Sequence, residues 1–318
     1  MILGENVSNV YSKGKEIQQV YSYGKLVWEK KTDTPDTPDV IDYSTIPFTI
    51  KAIYDNVKLQ AEYYNGEAIT LKYSINGGAE QTGETIYIRQ DDELSIKMVF
   101  DEPIRFNIKG LCDVYGNIMS IQYGEDFVGK TEWKLIYQNI DFFGLFNSCN
   151  IRDAKNLILP STTIKPYAYA WMFYDCKYLI STPELPATQL ADSCYYQMFN
   201  GCSSLTTAPE LPATVLSPFC YRLMFHGCSS LTTAPELPAT TLKEYCYNQM
   251  FLICRKLNYI KCYATGIDND SLYPQKLEYC LLNWTLGVSQ TGTLVCYKSY
   301  ANELKQYIPE TWTVEYID

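Results

Sequence analysis

Residues 202–240 read CSSLTTAPELPATVLSPFCYRLMFHGCSSLTTAPELPAT, so the segment CSSLTTAPELPAT occurs twice, letter for letter, 26 positions apart. Outward from it, Met-Phe pairs stand at Met172-Phe173, Met198-Phe199, Met224-Phe225 and Met250-Phe251, and Cys176, Cys202, Cys228 and Cys254 each follow three residues after the Phe. A second cysteine column, Cys194, Cys220 and Cys246, has Ala168 in the first copy, and ELPAT begins at Glu184, Glu210 and Glu236. A weaker copy precedes them, LFNSCN at 145–150 with ILPSTTI at 158–164, one residue out of register at its cysteine. A fixed period of about 20–29 residues is the mark of a solenoid, whose coils cannot bury an apolar face alone and stack on one another.

Inside a coil, Ser217-Pro218 forms a helix N-cap and first-turn pair, and Gly227 stands where a helix C-terminus needs positive φ. The spacing predicts a two-turn helix over 218–226, with Cys220 and Met224 on one face and Tyr221 and Phe225 on the neighbouring stripe. SSLTTAPELP then reads as a short strand closed by Pro212 or Pro238, with Leu205, Leu211, Leu231 and Leu237 inward. The cysteines fit small, soft, reduced core residues stacked coil over coil better than they fit disulfides. Zinc fits least, because no Cys-x-x-Cys spacing occurs.

MFNGCSSLTTAPELPATVL, with CYRLMF and CYNQMF, resembles the BspA-like leucine-rich repeats of gut Bacteroides and of their phages, crAss-like ones included. It departs from the usual leucine-rich pattern in lacking an Asn ladder and in placing Ala208 and Ala234 where a large apolar residue is common. DVYGNIMSIQYGEDF (113–127), NWTLGVSQTGTLVCY and PETWTVEYID look like the flanks that accompany such repeats in phage-encoded proteins.

The remaining chain divides by composition. Residues 1–31 hold a smaller repeat, SNVYSKGKEI then QQVYSYGKLV, which predicts two β-hairpins too small to bury a core of their own. They resemble N-terminal modules of phage appendage proteins and read as an attachment piece. TDTPDTPD marks a Pro-spaced linker at 32–41. Alternation in FTIKAI, VKLQA, LKYSI and LSIKMVF predicts a β-sandwich-like domain over 42–140, docked on the first coil; the repeats occupy 141–266, and a period-breaking α/β cap of two helices and two strands follows at 267–318. The expected fold class is therefore α+β and β-rich: a short leucine-rich-repeat solenoid of 26-residue strand-plus-short-helix coils, preceded by a β-sandwich-like domain and a β-hairpin module.

Composition narrows function. The 318 residues carry a net charge of -10 with 47% apolar and 19% charged residues, and no basic cluster suited to nucleic acid occurs. Neither a signal peptide nor an apolar run of membrane-spanning length is expected. No nucleophile, P-loop, dinucleotide or metal-ligand motif stands out, and no cofactor is implied. The lone histidine, His226, shares its column with Tyr174, Asn200 and Leu252, which tells against a general base. The column Glu184, Glu210 and Glu236 should stack about 5 Å apart, either solvated or sharing a cation. Asp268-Asn269-Asp270 reads as a polar turn before a calcium loop.

A variable outer helix ridge offers the candidate binding residues Tyr174, Tyr196, Asn200, Arg222, His226 and Asn248, of types that grip sugars or protein loops; variation without binding is the alternative. The resemblance implies a non-enzymatic virion protein, a fibre, appendage or decoration, folded in the host cytoplasm. On this reading residues 1–31 contact other virion proteins, the repeats contact a host-surface glycan or protein, and a homo-oligomer stays open. A Bacteroides surface adhesin and, further off, a glycan-degrading enzyme are the rivals.

Overall fold

The computed structural model describes residues 41–100, 102–132, 142–268 and 277–317, with the backbone of four strands between residues 10 and 29. The chain is mostly sheet and turn with few helices, and it divides into two units, Met1–Asp42 and Tyr43–Asp318. In the first unit, β1 (Val10–Ser12) pairs antiparallel with β2 (Lys15–Ile17), and β3 (Gln19–Ser22) with β4 (Lys25–Glu29), so each ten-residue copy makes one hairpin. The acidic Pro-spaced linker lies outside the described residues.

The second unit opens with a two-layered β region. One layer contains β5 (Thr49–Ala52), β7 (Leu71–Ile75), β8 (Gln81–Gly83), β10 (Glu93–Ile96) and β12 (Cys112–Asn117); the other contains β6 (Val57–Tyr63), β9 (Ile86–Ile88) and β11 (Ile104–Lys109), in the order β11-β6-β9. Alternation decides the faces: Val57, Leu59 and Ala61 on β6 and Ile104, Phe106 and Ile108 on β11 are buried, while residues between them reach solvent. The chain passes Gly116 with φ +82°, and a Cβ there would lie 2.2 Å from the carbonyl oxygen of Pro47, so only glycine admits this crossing. A short helix, α1 (Ser120–Tyr123), follows.

Both layers run into the repeats. Strand β12 pairs in parallel with β13 (Ile151–Asp153) and β14 (Leu157–Ile158), and the amide of Phe106 on β11 donates to the carbonyl of Leu145 at 2.8 Å. Bridges then step from coil to coil at Asp153/Ser181, Thr207/Thr233 and Thr233/Tyr259, and β15 (Thr241–Leu242) takes part in the same parallel pairing with β17 (Gly266–Ile267). Strand β16 (Tyr259–Cys262) carries the sheet onward to β18 (Thr293–Tyr297) and β19 (Thr313–Ile317), all parallel.

The expected helix in each coil is not formed; 218–226 is a run of overlapping turns. Along 219–227 every second amide, on Cys220, Arg222, Met224 and His226, donates to the carbonyl three residues back at 3.1–3.3 Å. The amides between them, on Phe219, Tyr221, Leu223, Phe225 and Gly227, donate at 2.8–3.1 Å to Glu244, Cys246, Asn248, Met250 and Leu252 in the next coil. A helix would have turned all of these N–H groups inward along its own axis. The geometry needs positive φ at every fourth residue, as at Tyr167, Trp171 and Asp175, or Phe219, Leu223 and Gly227. For a residue with a Cβ that conformation costs roughly 1–2 kcal/mol. The coil-to-coil hydrogen bonds, shielded in a packed stack, offset it.

The side-chain period is accordingly four. Phe146, Phe173, Phe199, Phe225 and Phe251 form a buried ladder with ring centroids 5.3, 5.6, 5.7 and 5.8 Å apart. Tyr169, Tyr195, Tyr221 and Tyr247 form a second at 5.9, 5.8 and 6.0 Å. Phe48 and Phe106 continue the first ladder into the β region, at 5.5 Å from each other and 5.9 Å from Phe106 to Phe146. The cysteine column beside it makes a directed contact: the thiols of Cys176, Cys202, Cys228 and Cys254 donate to the carbonyls of Phe146, Phe173, Phe199 and Phe225, in the preceding coil, at 2.9–3.2 Å. Cys149 does the same to Phe106, so a sandwich strand supplies what a preceding coil would.

The period does not stop at 267. The amides of Tyr247, Gln249, Phe251 and Ile253 donate to Cys280, Leu282, Trp284 and Leu286, and Asn283 and Gly287 carry the positive φ values of a further coil. Cys280 stands 34 positions after Cys246, eight more than the repeat. Of the expected C-terminal helix only α2 (Leu277–Leu281) is helical; α3 (Ala301–Lys305), β18 and β19 form where short helix and strands were expected. Trp284 closes both ladders, 6.5 Å from Tyr247 and 6.4 Å from Phe251.

Two outcomes test this packing. All twelve cysteines are free and buried, so a thiol reagent should find almost none accessible in the native protein and twelve after unfolding without reductant; fewer than twelve would reveal disulfides. Phe199→Ala removes one rung and should cost about 3–5 kcal/mol in urea unfolding.

Candidate functional site

The residues expected on an outer ridge sit on the turn flank, where they are largely engaged with one another. Tyr174 packs on Trp171 at 5.6 Å, and Trp171 lies 6.5 Å from Tyr196 and 5.1 Å from Phe143. The Arg222 guanidinium lies between the rings of Tyr196, Phe219 and Tyr245, at 5.8, 5.7 and 5.8 Å, and its Nε donates to Asn248 Oδ1 at 3.2 Å. Such stacking uses the planar cation that a free binding residue would offer a ligand.

Two of the six are not outward at all. Asn248 is 2% exposed and donates to the carbonyl of Tyr279 at 3.4 Å, and Asn200 is 8% exposed. They stand in two columns, Asn200 with Tyr174, His226 and Leu252, and Asn248 with Tyr196 and Arg222, whose other named members are half-buried. His226, in the Asn200 column, is half-buried, and its Nδ1 has no hydrogen-bond partner among the described residues. Burial holds its pKa below the ordinary histidine value, because desolvation penalises the imidazolium.

The other flank carries a groove of about 960 Å³ across three coils, lined by Tyr43, Lys155, Glu184, Pro186, Glu210 and Pro212 among others. Two of its three lining coils carry PELP segments. Pro183 and Pro186, like Pro209 and Pro212, have no N–H to give, and no backbone hydrogen bond joins residues 183–187 to 209–213. One coil later the neighbour is the proline-free β16, and pairing returns: Leu237 donates to Lys261 and receives from Tyr263, both at 3.0 Å.

The same contrast holds for charge. Glu236 accepts hydrogen bonds from Lys261 Nζ at 2.8 Å and the Tyr263 hydroxyl at 3.2 Å, and the lysine holds its carboxyl below the usual carboxylate range. Glu184 and Glu210, in the same column, are exposed in the groove and form no ion pair among the described residues. The sequence shows this column but gives no sign of the groove. Asp268 pairs with Lys243, while Asn269 and Asp270 lie outside the described residues.

Among the described residues no group of three or more His, Cys, Asp or Glu side chains could hold a metal ion, and no helix is long and apolar enough to cross a membrane. No family model, curated protein or solved structure matches the chain.

The histidine gives a pH test. Its unfolded form takes up a proton before the folded form does, so this contribution to stability is full above the unfolded pKa of about 6.5 and is lost as pH falls toward the depressed folded value. His226→Asn, the residue natural at 200, should flatten the fall in urea midpoint between about pH 7.5 and 5.5. Equal slopes for both proteins would contradict a depressed histidine.

Proposed function

We propose that the chain is a non-enzymatic display protein of a phage virion, a fibre or appendage component, whose BspA-like leucine-rich-repeat solenoid binds a glycan or protein on the host surface. Residues 1–31 serve as the attachment piece to other virion proteins, and the sandwich-like domain covers the first coil. The observation that carries this reading is the groove: a concave surface spanning three coils, beside PELP segments that no backbone hydrogen bond joins to one another. The resemblance of the repeats and their flanks supports the virion setting, and the separation of Met1–Asp42 from Tyr43–Asp318 supports a division between attachment and display.

Binding therefore belongs to the groove flank, and the Tyr196–Arg222 face acts in the fold. The purified full chain, labelled with a fluorophore, should bind a subset of Bacteroides strains saturably and leave their isolated surface glycans at unchanged chain length. Arg222→Ala should lower stability by about 1–2 kcal/mol through lost ring contacts and leave that binding intact. Absence of binding to every strain, or shortening of the glycan, would overturn the display reading.

A further inference from the structure

The groove has an internal precedent for what it accepts. In the last regular coil the PELP element is not followed by another PELP but by Tyr259-Ile-Lys-Cys-Tyr-Ala264, and this segment satisfies both the backbone and the carboxylate beside it. Lys261 gives its ammonium to Glu236, Tyr263 gives its hydroxyl to the same carboxylate, and the Lys261 ammonium also lies 5.0 Å over the Tyr263 ring. Lysine and tyrosine two residues apart on an extended chain fall on the same side, which is why one carboxylate can take both.

Glu184 and Glu210 belong to the same column, in the same PELPAT context, and have no such neighbour. Glu184, Leu185, Glu210 and Leu211 also have backbone groups that no other backbone group satisfies among the described residues. The volume, about 960 Å³, lies near the upper end of ligand-binding clefts, which run to about 1,000 Å³. The chain as a whole carries a charge of -10, which draws cations toward it.

We propose that the groove binds an extended polypeptide segment bearing a lysine and a tyrosine two residues apart, with the ammonium seated on Glu184 and Glu210. This rests on the reading of the chain as a host-binding display protein and commits it to a protein receptor over a neutral glycan. Lys155, at the same groove, supplies the opposite charge for a carbonyl or carboxylate of that segment.

The probe is a labelled hexapeptide Tyr-Ile-Lys-Ser-Tyr-Ala, the chain's own segment with serine for cysteine, titrated against the full-length protein by fluorescence anisotropy. Saturable binding is expected, weakened about fivefold or more when the peptide lysine is acetylated and when the protein carries Glu184→Gln with Glu210→Gln. Glu236→Gln, whose partner is already in place, should leave the affinity unchanged. The double variant removes only exposed carboxylates, so its melting temperature should match the parent and a folding defect would be visible as a shift. Equal affinity for the acetylated peptide, no binding of the hexapeptide, or binding of a neutral glycan that the double variant retains, would each overturn the proposal. Host-cell attachment by the double variant at full strength overturns this inference alone, whereas loss of attachment by the parent protein removes the display reading itself.

Discussion

In the turn flank of this protein every second backbone amide is pledged to the coil that comes next. That single arrangement fixes much else. An amide that leaves its own coil must meet a carbonyl at the same height in its neighbour, so the turn segments of successive coils have to keep one register. The letters repeat because the backbone partner repeats. Positive φ at every fourth residue is the conformational consequence, tolerated at Trp171, Leu223 and Tyr245 as well as at Gly201 and Gly227.

Inside that frame the side chains can only stack like on like. The phenylalanine and tyrosine ladders keep their rings within 19° of parallel through the central coils, and the cysteine column fills the space beside them while spending its weak donor on the second lone pair of a phenylalanine carbonyl. Serine would fit that volume but carries a stronger polar group into an apolar column; valine would lack the donor. The β region joins this core without a seam, since β11 presents a phenylalanine ring and carbonyl at the height a coil would, and β12 presents an edge to β13 and β14. Two sheets that would otherwise end in open edges are used to start two flanks of one stack.

The sequence made the period, the buried columns and the hairpins legible, because each rests on residues recurring at fixed places. It did not separate a helix from a chain of four-residue turns. Cys-Tyr-x-x-Met-Phe-x-x-Cys satisfies i, i+4 spacing in both, and the residues that must take positive φ are mostly ones, such as Gln197 or Leu223, with no preference for it. The coil around Trp284 was hidden by an eight-residue offset, and Asn200 and Asn248 looked exposed because their columns vary. A position in a varying column can still be buried when it finds a local partner, as Asn248 does with Arg222. The groove was out of reach for another reason: its lining is drawn from three coils at once, and no single stretch of sequence carries it.

Each coil brings its own donors for the following coil and its own acceptors for the preceding one, which makes length an additive quantity in this fold. One further unit of 26 residues would lengthen the stack by about 4.8 Å, extend both ladders by a rung, and leave the first and last contacts unchanged. Reach can thus be set in whole steps, without redesign of either end. The duplicate pair at 202–214 and 228–240 is what such a step looks like when written in residues.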